Sequence, residues 1–382
     1  MPPRNRADRE TEPQFATAST YLPGGKDRSS LAIDISLVTV LYGGGAVAGY
    51  PDEITPFRPS SVRGHLRFWW RATRGAEYNS WQALREREGQ IWGDTDRQSP
   101  VRIRVDCPTA VHPKRGSLRR YEKDLYRRYA LFPPFEDKRR DLDSDRLLEG
   151  GGFHLKVSIS GSDADLRDDI DAALWGWLNF GGMGARTRRG VGALYCEQYA
   201  GWDAGRIRGD GGQREWPVLK GGTLLVGSEP LSWPNCWLQL LRFYRDFRQD
   251  RGLNGRGKTS WPEPEQIRAI HRGEQPGPEG FPRGALGLPI VFHFKDSWKD
   301  PPDRTLNVKD PHGRMASPVI LRPFAISKDQ ALPLILALNT GARPLYLHGG
   351  EGAVEVQTGH RKAIEELISS AEDRWQVKAV RI

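Results

Sequence analysis

Cysteine is nearly absent from this chain: Cys107, Cys196 and Cys236 are the only three among 382 residues, and they lie far apart. Their scatter excludes a disulfide framework and the paired spacing of a zinc site, and it fits a reducing, cytoplasmic setting. The eight histidines are dispersed as well, with no H-x-H or H-E-x-x-H cluster. A ribonuclease would want a histidine acid and base near the scissile phosphate, and only His65 sits in a strongly basic neighbourhood. No apolar run approaches the ~20 residues that span a bilayer. The N-terminus (Arg4, Arg6, Asp8, Arg9, Glu10) is polar and lacks the apolar core of a secretory signal. Two acidic groups, Asp141/Asp143/Asp145 and Asp163/Asp165/Asp168/Asp169, read as a solvated loop and a helix N-terminus without metal-binding spacing. Carboxylates are in deficit, 48 against 57 Lys+Arg, which gives a net charge of +9 and favours an anionic partner.

What the chain does contain is arginine in pattern. Residues 54–74 read ITPFRPSSVRGHLRFWWRATR. Ser60 and Ser61 are candidate N-caps for a helix over Val62–Arg74, entered through the extended Pro59. At 100° per residue, Arg63, Arg67, Arg71 and Arg74 share one narrow stripe, with Trp70 at its edge and Trp69 facing the core. Planar, permanently charged guanidinium groups suit phosphate, so the stripe is expected to meet a polyanion rather than bare solvent.

A second constellation, Gly181-Gly182-Met183-Gly184-Ala185-Arg186-Thr187-Arg188-Arg189-Gly190-Val191-Gly192, packs five glycines and three arginines into twelve residues. Glycine permits positive φ and a nest of amides for an anion, and the arginines supply charge. The loop follows a helix and precedes a strand, the reverse of the dinucleotide-binding order, so RNA backbone is the preferred ligand. Gly252–Thr259 matches the phosphate-loop pattern of NTPases, but a helical segment precedes it and Pro262 and Pro264 follow. No strand and helix are there to aim it at a nucleotide, so no cofactor is expected.

Organisation follows from period. A length of 382 residues suggests two domains. After a loose tail over 1–30, strands are expected at Leu31–Leu41, Val101–Val105, Phe153–Ile159 and Val191–Tyr195. Helices are expected after Ser61 and over Asp165–Asn179. That order, strand-helix-strand-strand-helix-strand, is the βαββαβ of ferredoxin-like and RRM-like modules. An insertion over 107–151 mixes arginines with Tyr121, Tyr126 and Tyr129 and stands open between surface helix and a basic-aromatic arm touching RNA or a neighbouring subunit. Residues 216–382 read as a second, irregular α+β domain. Its strands are expected at Val218–Val226, Leu288–Phe294 and Val319–Phe324, and its helices at Trp237–Arg248, Gln266–Arg272 and Ala363–Ala371.

The arginine helix and the glycine loop together resemble the RAMP superfamily of CRISPR-Cas proteins. The run from Arg58 to Arg71 resembles the signature of one branch, subunit one of the type III-B Cmr complex. Gly287–Ile290 and Arg314–Pro323 agree with it, over roughly residues 31–325. The resemblance implies α+β architecture with two ferredoxin-like domains over 31–215 and 216–382. It implies a non-catalytic subunit at the head of an antiviral RNA-guided complex, near the 3′ part of the guide RNA and the entering target RNA. Its neighbours would be subunit six and the backbone subunit four. By that resemblance the RNA contacts are Ser60, Ser61, Arg63, Arg67, Arg71, Arg186, Arg188 and Arg189; Arg58, Trp70, Arg74, Gly182, Gly184 and Gly190 of the same two motifs are expected to bind RNA with them, and no metal or cofactor is implied. The alternative is a metal-independent endoribonuclease, as some relatives are.

Overall fold

The computed structural model describes residues 22–24, 28–132, 145–161, 164–250, 259–294, 300–349, 352–358 and 361–382. Alternation of Leu31, Ile33, Ile35 and Leu37 inward with Ala32 and Asp34 outward builds β2 (Arg28–Leu37), preceded by β1 (Leu22–Gly24). Both reach into the stretch expected as tail, where pairing of β1 with β2 gives it order. Helix α1 (Pro59–Arg74) and helix α2 (Trp81–Trp92) lead to β3 (Val101–Asp106). Helix α3 (Leu125–Leu131) then precedes β4 (Gly152–Ser160), α4 (Ala164–Phe180) and β5 (Leu194–Tyr195). The antiparallel sheet runs β3-β4-β2-β5. Phe153, Leu155, Val157 and Ile159 cover α1 and α4 on one face, while Arg102, Arg104 and Lys156 stand exposed on the other.

The second half repeats the arrangement. It comprises β6 (Val218–Val226), α5 (Trp233–Gln249), α6 (Glu263–His271), β7 (Val319–Ala325), β8 (Gln330–Asn339), α7 (Lys362–Trp375) and β9 (Val380–Arg381). Its sheet runs β7-β8-β6-β9, again antiparallel. In both sheets the order, counted along the chain and leaving out β1 and the two-residue strand Leu231–Ser232 that flanks β8, is second, third, first, fourth. Residues of β6, β7 and β8 join the same apolar cluster as Trp69, Trp70 and Leu178, so α1 and α4 lie between the two sheets. The far face of the second sheet packs on Cys236, Leu240 and Tyr244 of α5 and Leu367 and Ala371 of α7. Layers thus alternate sheet, helices, sheet, helices. A third sheet (Ile290–Phe292, Arg304–Asn307, Leu345–Gly349, Gly352–Val356) with α6 forms a smaller core around Phe281 and Leu306.

The described part of the 107–151 insertion is no free arm. Its strands Lys114–Ser117 and Asp145–Glu149 pair with each other, and the latter also pairs with Leu41–Tyr42. Tyr121 packs edge-on to Trp237 of α5 at 6.4 Å, and Tyr129 lies 6.4 Å from Tyr244. Arg115, Arg120 and Arg127 are paired with Glu53, Glu149 and Asp124. Residues 133–144, with Asp141 and Asp143, lie outside the described residues, as do Asp163 and Gly252–Lys258 of the phosphate-loop match.

Candidate nucleic-acid interface

Helix α1 begins at Pro59, earlier than the serines suggested, because a proline in the first turn has a fixed φ and no N–H to satisfy. Arg58 is the N-cap and makes no side-chain cap bond, and the first turn holds no acidic residue. Ser60 is exposed and Ser61 half-buried in that turn. The helix therefore presents uncapped amides and its positive dipole end beside an arginine.

The expected stripe of four outward arginines does not exist as such. Arg63 donates to the carbonyls of Trp92 (3.1 Å) and Val101 (2.8 Å) and to Ser99 Oγ (3.0 Å), bracing α2 against β3. Arg67 Nε and Arg71 Nη1 converge on Glu88 Oε1 of α2, at 2.7 and 2.6 Å. Arg74 is buried, 3.7 Å from Asp169 and bonded to the Asp168 carbonyl. Desolvation holds it below its ordinary pKa. Trp70 is fully buried, so it is core and offers no face to a base. The sequence showed the shared face but not that Glu88 and Asp169, on other helices, would cover it. Of the three arginines of this face that form ion pairs, Arg67 keeps the most exposure, 41% of its side chain.

The other flank of α1, His65 and Phe68, faces the glycine-arginine loop. His65 stacks on Trp177 at 5.9 Å and 9°, and burial pushes its pKa down to about 4. Arg188 lies 5.7 Å over the Phe68 ring, and burial followed by the nearby Arg189 charge lowers its pKa to about 10. Arg189 sits 4.2 Å over the Tyr244 ring. Arg186 is exposed and held at φ +63°, a conformation that non-glycine residues adopt at some cost and that clusters at ligand clamps. Partial desolvation and the Arg189 and Arg314 charges lower its pKa.

The loop's amides are largely spent on its own fold: Met183 N bonds Gly192 O, Ala185 N bonds Tyr42 O and Gly192 N bonds Val40 O. The expected nest is to that extent closed. Gly184 is required by position, since φ is +75° and a Cβ would meet Tyr42 O at 2.7 Å. Gly182 and Gly190 are buried and serve as acceptors, for Trp177 Nε1 and Thr39 Oγ1 respectively. From the second half, Arg322, 1% exposed, reaches in to donate to the carbonyls of Leu178, Gly181 and Leu194 at 3.0, 2.7 and 2.5 Å. Burial pushes its pKa down to about 9, so it stays charged at neutral pH.

These contacts bring the two sequence-distant motifs together. Arg58 Nη2 bonds the carbonyl of Gly44, and a Cβ on Gly44 would lie 3.3 Å from Gly184 Cα. Arg58, Ser60, Ser61, Gly184, Arg186, Arg188 and Arg189 thus belong to one surface region, whereas Arg63, Arg71, Arg74 and Trp70 belong to the framework beneath it. Burial pushes the thiols of Cys196 and Cys236 up to about 12, which leaves them protonated at neutral pH. Among the described residues no cluster of His, Cys, Asp or Glu is arranged to hold a metal ion, and no helix is long and apolar enough to cross a membrane.

A family model described as the RAMP superfamily matches residues 34–195. CRISPR system Cmr subunit Cmr1-2 of Pyrococcus furiosus is 31% identical over 179 residues, 42% of this chain and 91% of that protein. Cmr subunit Cmr1-1 of the same organism is 29% identical over 146 residues, 38% of this chain and 40% of that protein. Among solved structures, apo Cmr1 from Pyrococcus furiosus superposes with a TM-score of 0.54 at 16% identity, covering 92% of this chain and 98% of that one. A chain of the type III-B Cmr-beta complex bound to cognate target RNA gives 0.50 at 11% identity, covering 90% and 100%. At these identities the structural likeness speaks for the fold alone.

Proposed function

The chain belongs to the Cmr1 family of the RAMP superfamily, and from that premise we propose that it is an RNA-binding, non-catalytic subunit of a type III-B CRISPR effector complex. Its two sheets, each ordered second-third-first-fourth with two helices on one face, are read as two ferredoxin-like units. In this proposal it sits at the head of the complex, beside the 3′ part of the guide RNA and the entering target, against subunit six and backbone subunit four.

One observation carries the RNA reading: the uncapped N-terminus of α1 with Arg58, Ser60 and Ser61 adjoins the loop of Arg186, Arg188 and Arg189. The charges that act on Arg186 and Arg188 include other arginines and no carboxylate. A phosphate would relieve that repulsion, and helix-terminal amides and serine hydroxyls would bind its oxygens. Arg102 and Arg104 on the open sheet face, with Lys156 directly opposite Arg104, extend the exposed positive surface of the first unit.

Catalysis is not part of the proposal. His65 is stacked, neutral at pH 7 and without a second histidine beside it among its ring contacts. The test is twofold. Arg58→Ala with Arg186→Ala should weaken binding of labelled single-stranded RNA and flatten the slope of log affinity against log salt by ~0.7 per lost phosphate contact. Incubation of the purified chain with guide and target RNA in EDTA should leave both intact. An unchanged salt slope would remove the RNA reading, and cleavage lost in His65→Ala would make the chain an endoribonuclease.

A further inference from the structure

Behind Arg188 the glycine-arginine loop closes one side of a cavity of about 180 Å³, whose other walls come from the second sheet and the third sheet's connections. Four guanidinium groups line it, those of Arg188, Arg314, Arg343 and Arg361, against one carboxylate, Glu215. Its apolar walls include Pro217, Met315 and Leu338. Arg188 Nη1 is buried with no hydrogen-bond partner. Such a donor is costly to leave unmade, and in a native fold it marks a place for a ligand, ion or water. Arg361 is fixed in advance: its Nη2 donates to Asn339 Oδ1 at 2.6 Å, and Asn339 Nδ2 is itself bonded to the carbonyls of Gly211, Gly212 and Lys220. Arg314 and Arg343 are exposed, with no acid paired to either among the described residues.

Size and chemistry select the occupant. Small-molecule sites run to ~300–1,000 Å³, so this cavity admits one compact group rather than a cofactor or dinucleotide. An apolar wall beside an arginine cluster suits a ligand with a flat, weakly polar part joined to an anion. An unstacked nucleotide of single-stranded RNA has that make-up, and single strands are read by such splayed-out bases.

We infer that this cavity receives one flipped-out nucleotide of a single-stranded RNA, its base against Met315 and Leu338 and its phosphate on Arg188, Arg314 and Arg343. This rests on the RNA reading above and deepens it: the strand that crosses the α1 N-terminus and the loop would leave one base in the cavity.

The experiment uses the full chain and a labelled mixed-sequence RNA 12-mer, followed by fluorescence anisotropy, with Arg314→Ala, Arg343→Ala and the double variant. Both side chains are exposed, so thermal unfolding should match wild type. The expected result is roughly a tenfold loss of affinity for each single variant, as for a charge-assisted hydrogen bond, and a flatter salt slope. A 2-aminopurine scanned along the strand should brighten at one position in wild type and at none in the double variant. If wild type binds the RNA and the double variant binds it equally well, the cavity inference falls while the RNA reading stands. If wild type binds no RNA, both fall. If free adenosine monophosphate binds as tightly as the strand, the cavity is a mononucleotide site and the inference is overturned.

Discussion

Replacing Arg322 by Met should be among the most damaging single changes to this chain. The guanidinium is buried beneath the glycine-arginine loop and donates to four carbonyls, those of Leu178, Gly181, Leu194 and its neighbour Pro323. Two of these lie at the end of α4, where carbonyls have no further helical turn to bond. Met fills much of the stem's volume but donates nothing, so at least three long-range acceptors lose their partner at ~1–3 kcal/mol each. Against that stands the relief of no longer burying a charge, several kcal/mol in the other direction. With ~3–9 kcal/mol lost at the three carbonyls and several regained from the charge, the balance is a net loss of about 2–4 kcal/mol, a sizeable part of the ~5–15 kcal/mol that holds a protein folded. Urea unfolding followed by circular dichroism would read it as a lower midpoint at constant slope. Arg322→Lys keeps charge without the planar fork and should fall between. A midpoint for Arg322→Met equal to wild type would refute the claim that this residue ties the second half to the loop.

His65 makes the fold acid-sensitive. Its pKa is about 4 in the fold and ~6.5 unfolded, so below pH 6.5 the unfolded chain binds the proton first. Stability from this group is complete above pH 6.5 and falls by up to ~3 kcal/mol as pH drops to 4. His65→Phe, which keeps the stack on Trp177, should lose that component, and identical pH profiles would disprove it. Glu88→Gln leaves Arg67 and Arg71, both partly solvated, without their shared carboxylate and should cost about 1–2 kcal/mol by thermal or urea unfolding, an unchanged midpoint being the contrary result. Lys156 stands directly opposite Arg104 in the sheet, so Lys156→Glu should raise stability by ~0.2–1 kcal/mol; a fall would mean that the two charges are not cross-strand neighbours in solution.

Period and punctuation made much of the fold legible. The strand over Phe153–Ile159, the helix after the arginine motif and the helix beginning near Asp165 were readable because each shows one buried face or a sharp turn at its ends. The strand Gln330–Asn339 was not. It is sandwiched between helices on both faces, so its Leu-Pro-Leu-Ile-Leu-Ala-Leu run carries no alternation. Helix α2 hid behind a mostly polar sequence capped by Ser80. The site was legible in its parts and not in its pairings. Helical spacing put Arg63, Arg67, Arg71 and Arg74 on one side, but their partners come from elements 17 to 94 residues away, beyond the reach of any local pattern. The same holds for Arg322, which nothing in the sequence separates from the exposed Arg314 of the same segment.

The most direct test is photocrosslinking in the assembled complex, with 4-thiouridine placed through the guide and target RNA and the crosslinked peptides mapped by mass spectrometry. The account predicts crosslinks on this chain within the turn from Arg58 to His65 and the loop from Gly182 to Gly190, from the strands of guide and target that meet there. Crosslinks confined to other subunits, or reaching this chain only on α5 and α7 on the far side of the second sheet, would contradict it.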